Sequence, residues 1–258
     1  MEKFGECHLC GKEGKLTFEH VPPKKANNNE RARLLTGREI FNIDKIKKGK
    51  SLRYINQQQG AGWYSLCAEC NNNTGDWYAS EYIKFANNIG YILTNEIKSS
   101  DIKGIEINSN KLYFQRIIKQ ILCMFLSTTQ PNKLNEIEDI RRFILDKNNK
   151  DFNDKKYRIG MYLLKKYEIS HSGIIQMLVE ENGKLIIRKI AIMNLYPLGF
   201  ILEIEPFREK ELEEIVDITN LTKLEYDEMI EVRIPLYITD RYLLSNITKD
   251  MVNKYKNK

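Results

Sequence analysis

The sequence contains no apolar run approaching the roughly 18–20 residues that a membrane-spanning helix requires, so no such helix is expected. Its first ten residues, MEKFGECHLC, lack the apolar stretch of a secretory signal, and a cytoplasmic protein is the expectation. There is no internal repeat, no long low-complexity segment, no P-loop and no nucleophile elbow. A strong charge of either sign is also missing. The 41 Lys and Arg against 35 Asp and Glu leave +6, compatible with nucleic acid but not diagnostic of it. Histidine is scarce, with only His8, His20 and His171.

What is present begins with cysteine. Cys7 and Cys10 form one CxxC pair, Cys67 and Cys70 a second, and Cys123 sits alone in the apolar stretch IIKQILCMFL. In a chain without an export signal, paired CxxC motifs read as a metal site rather than as disulfides. Two residues between cysteines let a tight turn aim both sulfurs at one point, and four such sulfurs suit tetrahedral zinc. Cys123 reads as a buried thiol acting as a small hydrophobe.

Between the pairs lies LTFEHVPPK, an extended run closed by two prolines, carrying Glu19 and His20. Residues 24–60 are polar and basic, with Lys24, Lys25, Arg31, Arg33, Arg38, Lys45, Lys47, Lys48, Lys50 and Arg53 against three acids. They read as a long loop with one short helix near 30–35. GWYSL is a strand leading into Cys67, and three consecutive asparagines, Asn71 to Asn73, follow Cys70. Thr74 and Gly75 are expected to end or bend that turn.

From Asp76 onward Trp77, Tyr78, Tyr82, Phe85, Ile89 and Ile92 recur at helical spacing. A strand is expected at 102–107, a buried helix over LYFQRIIKQILCMFLST and an amphipathic helix over NEIEDIRRFILDK. The period then shortens to that of strands, with ENGK as a hairpin turn, a charged segment at 208–214 and a last strand in MIEVRIPLYI. His171 falls in ISHSG, which reads as a turn. The expected fold class is α+β, with a small metal module at 1–105 followed by an α+β domain at 106–258 built on an antiparallel sheet.

The order CxxC, acid-His-x-x-Pro, then CxxC followed directly by Asn resembles the HNH endonucleases, ββα-metal nucleases on a zinc-stabilised treble clef. The resemblance covers about residues 4–80. It implies that His20 is the general base, that Glu19 and Asn71 hold a catalytic Mg²⁺ or Mn²⁺, and that the four cysteines hold structural zinc. Nucleic acid is then the implied substrate, DNA favoured, cleaved to a 5′-phosphate and a 3′-hydroxyl. Lys24, Lys25, Arg31 and Arg33 are the expected phosphate contacts.

The chemistry is coherent on its own terms, since a histidine titrating near neutrality can deprotonate water and a divalent ion can stabilise phosphate charge. The usual Asn shortly before the second CxxC is missing; Asn56 or one of Gln57 to Gln59 is expected to reach His20 instead. Because neighbouring residues on a strand face opposite ways, Glu19 and His20 would need a bend to share a site. The alternatives are a zinc-stabilised nucleic-acid-binding module without catalysis, and a protein-interaction module, which the basic insertion disfavours. For the C-terminal half, target recognition, a homodimer contact, partner binding and sensing remain open. Restriction or phage defence is the setting suggested by association with an AT-rich composition.

Overall fold

Glycine at position 11 takes a positive φ of 74°, which lets the chain reverse immediately after Cys10. That reversal joins β1 (Lys3–Glu6) to β2 (Glu13–His20), which pair antiparallel from Lys3↔Leu16 to Glu6↔Glu13. The computed structural model describes residues 2–35, 39, 44, 45, 48, 50, 51, 53–95, 103–108, 111–181, 184–206 and 214–240. Within the insertion, β3 (Ala32–Leu35) pairs antiparallel with β4 (Tyr54–Gln57), so the short helix expected near 30–35 is a strand. The partner strand, about twenty residues downstream, decides what local composition could not. Arg38 and Lys47 of the basic run lie outside the described residues.

β5 (Gly62–Cys67) adds to β2 and completes a three-stranded sheet of order β1-β2-β5. Their register slips between Thr17 and Phe18, which face Leu66 and Tyr64, leaving Ser65 as the extra residue. Its carbonyl turns to the metal knuckle and accepts the His8 N–H at 2.8 Å. α1 (Ala68–Thr74) starts directly after Cys67. Gly75 keeps helical dihedrals (φ −60°, ψ −46°), so the helix does not stop there. It runs through one π-helical stretch (Gly75–Ala79) into α2 (Ser80–Asn95).

β6 (Gly104–Asn108) pairs with a strand near the end of the described chain, β12 (Arg233–Tyr237). Between them α3 (Phe114–Thr128) is buried on every side, with Arg116 the one residue of the helix not buried. A 3₁₀ turn (Pro131–Ile137) leads into α4 (Glu138–Leu145). The second sheet follows: β7 (Tyr157–Leu163), β8 (Ile169–Glu181), β9 (Lys184–Leu195), β10 (Leu198–Ile204) and β11 (Val216–Asp217). Its order is β11-β7-β10-β9-β8, antiparallel throughout. Asn182 and Gly183 of the expected hairpin turn, and residues 207–213 of the charged segment, lie outside the described residues.

His171 is not in a turn. Gly173 adopts a φ of 63° and makes a bulge inside β8, where the Ser172 hydroxyl accepts the Ile192 N–H at 2.9 Å. The fold is thus mixed α and β with antiparallel sheets. One cluster of buried side chains takes in Cys7, Leu9 and Leu66 at the N-terminal end, most of α3, and the inner faces of β7, β9 and β10. Residues on both sides of position 105 share that core.

Candidate metal centre and histidine site

The four sulfurs of Cys7, Cys10, Cys67 and Cys70 lie within 4.8 Å of one another, and those of Cys10 and Cys67 are 3.9 Å apart. Zinc–sulfur bonds of about 2.3 Å at tetrahedral angles set sulfurs about 3.8 Å apart, whereas a disulfide needs about 2.05 Å. All four are free thiols. The cluster therefore fits a structural zinc ion. The Cys67 N–H points at the Cys7 sulfur at 3.3 Å. Together with the Cys70 thiol, the chief cause, such donors hold the Cys7 pKa down at about 4. Burial pushes the Cys10 thiol up, and the contact with Cys7 pushes the Cys70 thiol up. Without metal the cluster therefore favours one thiolate, and zinc binding would release the remaining protons. Among the described residues this is the one convergent group of three or more Cys, His, Asp or Glu ligand atoms.

The knuckle is anchored to the helices. His8 Nδ1 donates to the Leu126 carbonyl at the end of α3 (3.0 Å). Arg141 Nε on α4 donates to the Leu9 carbonyl at 2.9 Å.

His20 is the last residue of β2, and its Nε2 lies 3.0 Å from the Gln59 carbonyl oxygen. A carbonyl can only accept, so Nε2 carries the proton and Nδ1 keeps the lone pair. Burial, with the nearby Lys24 charge, lowers the His20 pKa from its ordinary 6.5 against the pull of that carbonyl. The ring stacks edge-on against Phe18 at 5.0 Å, two residues back on the same strand face. Gln59, one of the residues expected to reach His20, does so through its backbone rather than its side chain.

Glu19 is half-buried, within electrostatic reach of Cys123 on α3, and desolvation pushes its pKa up to about 7. No hydrogen bond reaches its carboxyl among the described residues. Asn71, on the first turn of α1, crosses to β2 and donates from Nδ2 to Thr17 Oγ1 (3.0 Å) and the Phe18 carbonyl (3.3 Å). Its Oδ1 is left as the available acceptor. No hydrogen bond joins Glu19, His20 and Asn71 to one another among the described residues. The link between their elements is the pair of bonds from Asn71 to Thr17 and Phe18, which holds α1 against β2. Asn72 is exposed and Asn73 half-buried on the same helix.

The sequence reading did not single out Asn28, which is buried. Its Nδ2 donates to the Pro22 (2.6 Å) and Ala61 (2.8 Å) carbonyls, and its Oδ1 accepts the Ala61 N–H at 2.7 Å. It clamps the segment leaving β2 to the one entering β5, immediately beyond His20 and Gln59. Only a middle position in ANNNE hinted at it.

Lys24, Lys25, Arg31 and Arg33 are all exposed. Lys24 acts electrostatically on His20. Arg33 lies on β3, apart in the chain from the end of β2. Lys45 is paired with Glu39 at 2.6 Å. Trp77 packs against the core, and the ring of Tyr78 beside it is fully buried. Those aromatics are structural. No protein-family model, no curated protein and no solved structure matches the chain. Among the described residues no helix is long and apolar enough to cross a membrane.

Proposed function

We propose that the chain is a metal-dependent endonuclease of the HNH kind, hydrolysing phosphodiester bonds of nucleic acid, with DNA the favoured substrate. The observation that carries this reading is the His20–Gln59 hydrogen bond, which sets the neutral, Nδ1-basic tautomer at a strand end beside an exposed lysine. In this reading the knuckle, the β2–β5 hairpin and α1 correspond to a zinc-stabilised treble clef. On the same reading Glu19 and Asn71 would hold a second ion. A half-buried carboxyl with no hydrogen-bond partner among the described residues and an unclaimed amide oxygen are hard ligands of the kind Mg²⁺ or Mn²⁺ takes.

When bound, such an ion supplies charge stabilisation for the phosphate and the leaving oxygen. The chain's own residues do the rest. His20 Nδ1 takes a proton from the attacking water as the new P–O bond forms and the P–O3′ bond breaks. The Gln59 carbonyl steadies the imidazolium that results. Lys24 holds the phosphate near the ring. Restriction or phage defence is the setting that goes with this proposal, and the C-terminal half would recognise a target, a second copy or a partner.

The test is cleavage of plasmid DNA with Mg²⁺ or Mn²⁺ by the wild type, His20→Ala and Asn71→Ala, with zinc content measured in each. Nicking or linearisation by the wild type alone, zinc retained in all three, is the expected result. Salt-sensitive DNA binding without cleavage would favour the binding module instead.

A further inference from the structure

The segment that leaves β2 after His20 forms one wall of a groove of about 610 Å³. The other walls are the last two turns of α2 and the loops beside β8 and β10, which bring Tyr91, Tyr167 and Tyr196 to it. Tyr91 is 60% exposed and Tyr167 61%, both open for large rings. Tyr167 and Tyr196 sit 5.7 Å apart at 48°, a small aromatic platform. The remaining lining is polar, with Lys25 and four asparagines, Asn87 and Asn95 among them.

The walls are tied together. The Tyr167 hydroxyl donates to the Asn27 carbonyl at 3.2 Å, and Asn87 Nδ2 donates to the Lys25 carbonyl at 3.2 Å. The groove is therefore built on the strap that begins directly after His20.

Its chemistry matches one class of ligand. Tyrosine faces accept a flat ring, amide side chains both donate to and accept from base edges, and a lysine neutralises a phosphate. An apolar ligand would leave the asparagines unpaired, and a duplex presents no free base face to the tyrosines. Glu30, the one acid in the lining, offers an acceptor for an exocyclic amine or a sugar hydroxyl. From these features we infer that the groove binds an unpaired nucleotide of the substrate strand, next to the site of cleavage. The inference rests on the nucleic-acid reading above and makes the enzyme act on single-stranded or locally opened substrate.

Gly90 allows a clean probe. A Cβ there would meet Asn27 Nδ2 at 3.7 Å and Pro197 Cγ at 3.8 Å, ordinary contact distances, so a longer side chain must run into the groove rather than strain the helix. The experiment measures binding of a single-stranded 12-mer containing 5-bromouracil to full-length, zinc-loaded protein in the His20→Ala background, followed by photocrosslinking and peptide mapping. Tyr91→Ala and Tyr167→Ala should each weaken the strand about tenfold, as loss of one base stack does, and Gly90→Glu should weaken it at least as much by putting a carboxylate in the groove. Tyr167→Phe, which keeps the ring, should bind as the parent does. Crosslinks should map to Tyr91 or Tyr167.

Unchanged affinity in all three weakening variants, or crosslinks elsewhere, overturns the inference. So does a groove that takes free adenosine monophosphate while the strand binds independently of it, since the ligand would then be a free nucleotide. Because the readout is binding, an inactive wild-type enzyme that still holds the strand through the tyrosines would sink the nuclease proposal and leave nucleotide binding standing, while the position beside a cleavage site falls with the reaction. Conversely, cleavage that survives with strand affinity unchanged would remove the groove and keep the reaction.

Discussion

At the scale of single residues, Asn28 illustrates how one buried amide ties together the segments on either side of His20 without touching it. It satisfies three backbone groups on the two segments that flank His20 and Gln59. Asn28→Ala leaves those groups unpaired in a buried site, so a loss of about 1–3 kcal/mol is expected in denaturant unfolding. Asn28→Asp should be no better, because a carboxylate cannot donate to Pro22 and Ala61. Both should lower kcat with zinc retained. Glu19 carries the clearest pH signature. Its pKa rises from 4.5 to about 7 on burial, so the unfolded chain ionises first as pH climbs. Stability contributed by the protonated carboxyl is fully present below pH 4.5 and lost as pH rises to about 7. Glu19→Gln should therefore stabilise the protein without a catalytic ion at pH 8, by roughly 1–2 kcal/mol, while abolishing cleavage. Equal melting temperatures at pH 8 would show that the carboxyl is not held inside. Added Mn²⁺ should raise the wild-type melting temperature more at pH 8 than at pH 5 and leave Glu19→Gln unmoved.

At the scale of elements, α3 is the part on which the others rest. It receives the His8 ring at its C-terminal end. From its middle, Lys119 donates to the carbonyls of Asp146 (2.8 Å), Lys147 (3.0 Å) and Asn149 (2.9 Å), closing the turn after α4. Burial lowers the Lys119 pKa to about 7, yet the three carbonyl acceptors match the three N–H groups of an ammonium, and Lys119→Met would leave them unpaired at about 1–3 kcal/mol each. The expected outcome is a loss of several kcal/mol in urea unfolding together with early amide exchange at residues 146–149. Loss of stability without local exchange would mean that the lysine supports the core in general rather than this turn. The continuous helix formed by α1, the π-helical stretch and α2 has a second consequence. It links the second CxxC pair rigidly to Tyr91, so the zinc site and the tyrosine groove stand on one rod.

At the scale of the whole molecule, zinc has to act on more than its own knuckle. The knuckle hydrogen-bonds α3 and α4 directly, and its cysteines belong to the same core cluster as the second sheet. Metal analysis should give one zinc per chain. Cys70→Ser should remove it and, given the order of 10 kcal/mol that structural zinc contributes in small modules, lose near-ultraviolet circular dichroism well beyond residue 80. Retained zinc in that variant would exclude the four-cysteine site. For nucleic-acid binding, replacing Lys24 or Lys25 should reduce the slope of log affinity against log salt by about one unit each. Arg31 and Arg33 are a separate test, since β3 carries Arg33 away from the end of β2 in chain order. An unchanged slope for either arginine would take it out of the interface.

Much of this was legible in the residues themselves. Cysteine spacing determined the four-sulfur cluster, because two residues between thiols let one tight turn aim both sulfurs at a single point. Apolar periodicity determined α3 and the strands after residue 157, because burial on every side demands apolar residues at nearly every position. The tertiary structure alone decided the rest. β3 is a strand because β4 pairs with it, and ISHSG is a bulge because its neighbouring strand continues past it. Gln59 meets His20 with a backbone carbonyl, which every residue type possesses and no sequence can advertise. Asn28 and the tyrosine groove are assembled from positions 25 to 196, brought together by contacts between distant segments. Local pattern records what one segment prefers to bury; a site depends on which segments meet, and that is set by the packing of the whole chain.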